Sequence, residues 1–260
     1  MTGSETLALK LVVTPLLVGA ASLAARRWGS EVGGWLVGIP FTSAPVTFFL
    51  AIGPGPHFAA QASIGILAGT ISQAAFALAY AWCSRRFGWT ACLGAATLAF
   101  IAVTLALVPF GAGAFITFGI AVTVLAVSMA LMPRRSHAPS PSMRLPSWDI
   151  PARMAVGTVL VVALTAAAPL LGPRLAGLIS PYPLYATVLA VFSHRLQGGE
   201  SAVNVLRGLL LGLFAFAGFF LTVAQLLERD GIALAFGAAI LVALALQAAS
   251  LFAGRRLAIA

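Results

Sequence analysis

Apolar stretches of about 20 residues follow one another along almost the entire chain of 260 residues. An α-helix needs about 20 consecutive apolar residues to cross the hydrocarbon core of a bilayer. The segments between the stretches are too short to fold as a soluble domain. We therefore predict an all-α, polytopic membrane bundle of about nine transmembrane helices, which are Leu7–Ala25, Val32–Ile52, Phe58–Cys83, Ala91–Pro109, Ala112–Met132, Met154–Leu171, Leu175–Ser193, Ala202–Leu227 and Ile232–Ala253.

The composition excludes the usual soluble classes. Hydrophobic residues make up 61% of the chain and charged residues only 8%, and the mean hydropathy is +1.04. A soluble domain is about 45–50% apolar and about 25% charged. The first apolar stretch does not resemble a cleaved signal peptide, because its basic pair Arg26-Arg27 follows the apolar run. We expect a multi-pass protein of the cell (inner) membrane, with the lipid bilayer as its surroundings.

The positions of the cations predict the orientation in the membrane. The net charge of +9 comes largely from short pairs such as Arg85-Arg86 between apolar stretches, which is typical of cytoplasmic loops. With the N-terminus outside, eleven of the 15 Lys and Arg residues lie on the cytoplasmic side and three lie outside, and Arg207 falls within a helix. The positive-inside rule therefore places the N-terminus outside and the C-terminus in the cytoplasm, and the basic charge does not indicate nucleic acid.

The chain contains an internal repeat. Shifting it by 143 positions aligns Lys10–Trp82 with Arg153–Gln225 without a gap, and 19 of the 73 positions are identical. Chance gives about one match in ten in so uniform a composition. The matches of the rarer or helix-breaking residue types are Gly34/Gly177, Pro40/Pro183 and the two motifs Gly65-x-x-x-Gly69 and Gly208-x-x-x-Gly212. Small residues one turn apart let helices approach closely. We interpret each motif as a contact between the third helix and a broken helix, of its own unit or the other.

The repeat and the span count together predict inverted topology. Five helices separate the starts of the two units, so the second unit crosses the membrane in the opposite direction, about a pseudo-two-fold axis in the membrane plane. The predicted organisation is residues 1–132 for the first unit plus two extra helices, 133–149 for a cytoplasmic linker, and 150–260 for the second unit plus a final helix. Inverted repeats recur in secondary transporters. They also occur in some channels, and a duplication could simply enlarge a bundle.

The second helix of each unit has the composition of a broken helix. Proline removes a backbone donor and clashes with the preceding turn, and broken helices in corresponding places of two repeats indicate a transport site. The residues that predict the breaks are Gly38, Pro40 and Pro45 in the first unit, and Pro181 and Pro183 in the second. The hydroxyls beside the breaks, our candidate substrate-binding groups, are Thr42, Ser43, Ser180, Tyr182, Tyr185 and Thr187. We expect the breaks to meet near the midplane. Alternatively, these hydroxyls bond only to their own backbone.

Few ionisable or amide groups lie inside the predicted spans. All six acidic residues lie at helix ends or in loops, so the carboxylate relay of many pumps is missing. Arg207, about two turns into the eighth helix, could bind an anion or extend to lipid phosphate. Gln61 and Asn204 occupy equivalent positions and are second-rank candidates. Lys10 and Arg153 also correspond, and either extend to the interfaces or guard one entrance each.

The sequence predicts neither an enzyme nor a metal or cofactor site, because no nucleophile stands beside a base and no acidic pair or ligand cluster has suitable spacing. We expect a small secondary transporter whose partner is a small-molecule, anionic organic solute. One alternative is a flippase or scramblase for an anionic lipid carrier, for which a lateral groove beside Arg207 would be diagnostic. The other is a non-transporting membrane scaffold with a tightly packed interior.

Overall fold

The computed structural model describes residues 3–38, 40, 43–52, 55–109, 111–133, 146–159 and 181–259. All regular structure in these residues is helical, and they contain no strand. The helices are α1 (Gly3–Trp28), α2 (Ser30–Val37), α3 (Ser43–Ile52), α4 (Pro56–Cys83), α5 (Trp89–Leu107), α6 (Ala114–Leu131), α7 (residues 149–159), α8 (Leu184–Gln197) and α9 (Gly199–Ile259).

The long helices have the length and apolarity of membrane spans. Within the described residues, α4, α5, α6 and the part Gly199–Ser250 of α9 are long and apolar enough to cross a membrane. Large apolar side chains such as Leu98, Phe115 and Leu241 lie exposed on their outer faces. These helices are consistent with a membrane protein, because lipid is the medium in which such surfaces are stable.

The first predicted break is a division between two helices, and the second lies at the edge of the described residues, since residues 160–180 before it are outside them. The span predicted as Val32–Ile52 is divided, since α2 ends at Val37 and α3 begins at Ser43. In the second unit, residues 181–183 are not helical and α8 begins directly after Pro183. Pro45 marks the start of α3 and does not interrupt it, because a proline in the first turn removes an N–H that has no helical acceptor.

The eighth and ninth predicted spans lie in α9, on either side of Gly231. This residue has φ 78° and ψ 171°, a conformation that glycine adopts without a Cβ penalty. We call the segment 199–230 α9a and the segment 232–259 α9b. Two repeat-equivalent glycines, Gly55 and Gly198, also have positive φ, of 113° and 92°. Each directly precedes the third helix of its unit, α4 or α9a, and the first residues of these two helices are themselves equivalent under the repeat.

The two third helices form the centre of the bundle and run antiparallel. His57 at the start of α4 lies 3.0 Å from Glu228 at the end of α9a. At the other end, a Cβ on Gly199 would lie 2.6 Å from the carbonyl oxygen of Ser84. The repeat-equivalent side chains Phe76 on α4 and Phe219 on α9a are both buried in the core.

The two first helices, α1 and α7, are also antiparallel. A Cβ on Gly157 of α7 would lie 3.1 Å from Val18 of α1. Further along α1, Arg26 bonds to Asp149, which lies earlier on α7. The partner positions on α7 therefore decrease as the positions on α1 increase.

The fourth helices correspond as well, which extends the sequence match beyond residue 82. Under the same shift of the chain, Gly88 before α5 matches Gly231 before α9b, and Gly94-Ala95-Ala96 matches the sequence at 237–239. Ala96 and its equivalent Ala239 are both fully buried. Helices of the described residues thus occupy corresponding positions of the two units in the sequence, and α6 is the helix of the described structure left without a counterpart.

Candidate functional site

The first break packs closely against α9a. A Cβ on Gly38 would lie 2.5 Å from the Cα of Gly212, and a Cβ on Gly34 would overlap the carbonyl of Val205. The backbones are in contact here because Gly34 and Gly38 of the first break, and Gly212 of α9a, carry no side chain.

The second break packs against α4 in the same manner. A Cβ on Gly69 would overlap the ring of Pro181, and the side chain of Gln73, one turn later, donates from Nε2 to the Pro181 carbonyl. That carbonyl is one of the groups that a broken helix leaves without an intrahelical donor. Gln73 therefore compensates for the break.

The internal repeat converts one of these two contacts into the other. The repeat shift converts Gly69 into Gly212 and converts Pro181 into Gly38, so the pair Gly69–Pro181 becomes the pair Gly212–Gly38. Each glycine motif contacts the broken helix of the other unit, which confirms our interpretation of the motifs as helix contacts. Gly65 differs, because no atom lies within 4 Å of its Cβ direction.

A second glutamine bonds to the backbone beside the first break. Gln247 of α9b donates from Nε2 to the carbonyl oxygen of Trp35 over 3.0 Å. The Trp35 indole in turn donates to Ser250 over 3.0 Å. Gln73 and Gln247 are not among the predicted site residues. The available signal was an amide deep inside an apolar span, where a polar group must find a partner.

The predicted hydroxyls lie at different places around the breaks. Thr42 and Ser180 lie outside the described residues. Ser43 is buried at the first residue of α3, and its carbonyl accepts a hydrogen bond from Thr47 Oγ1 over 2.9 Å. Tyr185 and Thr187 are buried in the first turn of α8. Their role in binding stays a prediction.

Tyr182 points to α4 and α5. Its hydroxyl lies 2.9 Å from Thr97 Oγ1. Its ring packs edge-on against Phe76 and Phe100, with centroid distances of 5.6 and 5.3 Å. The side chain therefore attaches the second break to α4 through one ring contact and to α5 through a second ring contact and a hydrogen bond.

We expect Tyr182→Phe to lower the free energy of unfolding by about 1 kcal/mol, because it removes one hydrogen bond and keeps the rings. Thr97→Val should have a similar effect, and the double variant should lose little more than either single one. Thermal unfolding of the purified protein in detergent measures this cycle. Strictly additive losses would show that the two hydroxyls do not interact.

Arg207 reaches the C-terminal end of α6. Its Nη2 donates to the carbonyl oxygen of Pro133 over 2.7 Å. Nearby, the Trp82 indole donates to the carbonyl of Leu131 over 3.0 Å. A cation is favourable there because the C-terminal end of a helix is partially negative. Anion binding by Arg207 stays a prediction, as do the roles of Gln61, which is exposed, and Asn204, which is half-buried.

Arg153 belongs to a buried ion cluster and does not extend to the interface, contrary to one of our expectations. Its Nε lies 2.8 Å from Asp149, and both side chains are almost inaccessible. Arg26 bonds to the same carboxylate over 3.1 Å and to the carbonyl of Pro146 over 3.0 Å. The guanidinium of Arg153 also lies over the ring of Phe192, at 5.4 Å. The cluster joins α1, α7 and α8.

No metal-binding group of three or more His, Cys, Asp or Glu residues occurs in the part of the chain that the structure describes. His194, just beyond the predicted span Leu175–Ser193, places Nδ1 3.3 Å from the hydroxyl of Tyr80. Burial lowers the pKa of this imidazole and so favours its neutral form.

No protein-family model matches this sequence, and the comparisons with curated proteins and with solved structures give no match either.

Proposed function

We propose that this chain is a small secondary transporter that moves a polar, anionic organic solute by alternating access around its two broken helices. The observation that carries the proposal is the exchange of contacts between the units. Gly69 meets Pro181, and the equivalent Gly212 meets Gly38. Each unit thus supplies the helix against which the other unit's break is held.

The packing supports an inverted repeat. A two-fold axis in the membrane plane makes equivalent spanning helices antiparallel. Both pairs of equivalent helices with informative contacts, α1 with α7 and α4 with α9a, have this direction. A duplication with parallel units would make each pair parallel.

The number of spans fits the same arrangement. Four spans in each unit and α6 between them give nine crossings, with the N-terminus outside and the C-terminus in the cytoplasm. An unpaired helix is what the second unit needs in order to enter the membrane in the opposite direction. Inverted units of similar sequence have inward-open and outward-open arrangements of similar energy, and alternating access requires such a pair.

The breaks determine the class of solute. The helices α3 and α8 begin at the breaks, at Ser43 and Leu184. The N-terminus of a helix carries unpaired N–H groups and a partial positive charge, which favour a carboxylate or phosphate. No acidic residue occurs in the described parts of α3 or α8 to compete for these groups.

Access from both sides of the membrane tests the proposal. We expect Ser43→Cys, in a variant lacking Cys83 and Cys92, to react with a membrane-impermeant maleimide applied to either face of oriented membrane vesicles. A transporter exposes its central site alternately to the two sides. Ser63→Cys is the control, because Ser63 is equally buried, bonds to the Ala59 carbonyl and lies away from the breaks. Neither side should label it.

Two results would contradict alternating access. Labelling of Ser43→Cys from one face alone would indicate a one-sided cavity. Failure to label it from either face, as for Ser63→Cys, would favour a packed scaffold.

A further inference from the structure

The two glutamines at the breaks each have one unused polar atom. Gln73 and Gln247 are 6% and 4% exposed. Each uses Nε2 to satisfy a backbone carbonyl, of Pro181 or of Trp35. Each amide oxygen Oε1 is buried and has no hydrogen-bond partner in the described part of the structure. The same atom is thus left over at both breaks.

The backbone carbonyls of Pro181 and Trp35 determine which atom of each glutamine amide is left without a partner. Flipping either amide, so that its nitrogen and oxygen exchange places, would set Oε1 against a carbonyl oxygen, and two acceptors repel each other. The backbone therefore fixes Nε2 toward the break and Oε1 away from it. An amide oxygen only accepts hydrogen bonds, so whatever completes it must donate one.

Hydroxyl groups without partners adjoin the second break. Thr187, in the first turn of α8, is 5% exposed, and Thr70, one turn before Gln73 on α4, is fully buried. Neither Oγ1 has a hydrogen-bond partner among the described residues. Buried polar atoms are nearly always hydrogen-bonded, so a group of unmet ones indicates a bound molecule that completes them.

We propose that Gln73 and Gln247 are solute-binding residues, each of which accepts a hydrogen bond from an ammonium or hydroxyl group of the solute. This inference rests on the proposed function and narrows its substrate class. The helix N-termini bind the anionic group, and the amide oxygens require a donor on the same molecule. The class is therefore an organic acid that also bears an ammonium or hydroxyl group, such as an amino acid or a hydroxy acid.

A pair of small thiol reagents tests the preference without knowledge of the solute. Thr187→Cys, in the variant without Cys83 and Cys92, is reacted in nanodiscs with 2-aminoethyl and 2-sulfonatoethyl methanethiosulfonate. The first carries an ammonium donor and the second an anionic acceptor. The N-terminus of α8 attracts the sulfonate in every variant, so the informative quantity is the change in the ratio of the two rates when Gln73 is replaced, and not the ratio itself.

Variants of Gln73 assign this preference to its amide oxygen. Gln73→Leu should lower the ratio of the ammonium rate to the sulfonate rate about tenfold, as the loss of one good hydrogen bond allows, whereas Gln73→Glu should raise this ratio by adding a full negative charge. Ser63→Ala is the control. This residue precedes Gln73 on α4 and lies farther from the break, so its replacement should leave the ratio unchanged. Elution as a single species on gel filtration establishes that each variant is folded, and Gln73→Glu still tests the proposal if Gln73→Leu fails this criterion.

The outcomes separate this inference from the proposed function. A ratio that is unchanged or higher in Gln73→Leu, or one that does not rise in Gln73→Glu, would overturn the inference. If neither reagent modifies Thr187→Cys while Ser43→Cys labels from both faces, the inference fails and the transport proposal stands. If both positions are unreactive, both proposals fail.

Discussion

Gly208→Ala should be among the most damaging single substitutions in this chain, lowering the free energy of unfolding by about 3 kcal/mol or more. The new methyl group would overlap the carbonyl oxygen of Glu31 and lie 2.7 Å from the backbone nitrogen of Trp35. Both atoms belong to the backbone of α2, so no rotamer change relieves the overlap. The two helices would have to separate at the first break.

Gly94→Ala provides the matched control for this prediction. Nothing lies within 4 Å of a Cβ at Gly94, which is also in a long apolar helix. Alanine should be neutral there or stabilising by up to about 1 kcal/mol, because glycine is a poor helix former. Thermal unfolding in detergent, followed by circular dichroism, measures both variants. Equal melting temperatures would show that α2 and α9a are not in close contact.

Asp149→Asn should produce a loss of similar size, about 3–5 kcal/mol. Asp149 and Arg153 are 1% and 3% exposed, and the single carboxylate bonds to both Arg153 and Arg26. Its removal leaves a buried guanidinium without the charge that balances it. Such a loss is much larger than the net value of the pair, because burial of an unpaired charge is strongly unfavourable.

Glu228→Gln is the corresponding control. It removes the contact between Glu228 and His57, whose side chains are 45% and 79% exposed and lie in water. We expect a loss below about 1 kcal/mol. The same melting experiment compares the two variants. If Asp149→Asn were as mild as Glu228→Gln, the Asp149 cluster would not be buried in the folded protein.

The division between α2 and α3 could be predicted because its cause is local. Pro40 and Pro183 disrupt a helix whatever surrounds them, and the glycine motifs identify close contacts by residue size alone. The position of Tyr182 could not be predicted in this way. Its partners Thr97 and Phe100 lie far away in sequence, and only tertiary packing brings them together.

The ion cluster also has a local signal in the sequence. Asp149 and Arg153 are four residues apart, a spacing that places opposite charges together on a helix. Considered singly, Arg153 resembled a cation at an interface. The roles of Gln73 and Gln247 required the partner carbonyls, because the orientation of an amide depends on what its nitrogen meets.

The unpaired helix α6 has a consequence for how such a chain is made. A gene that encodes a single unit can supply both orientations only if its product inserts into the membrane in either direction. Once fused, the copies emerge from one ribosome in order, and in the proposed topology an added crossing must reverse the second. That task requires a helix with the length and apolarity of a span, which α6 has. Exchange of α6 for an unrelated apolar span should therefore be tolerated better than its deletion.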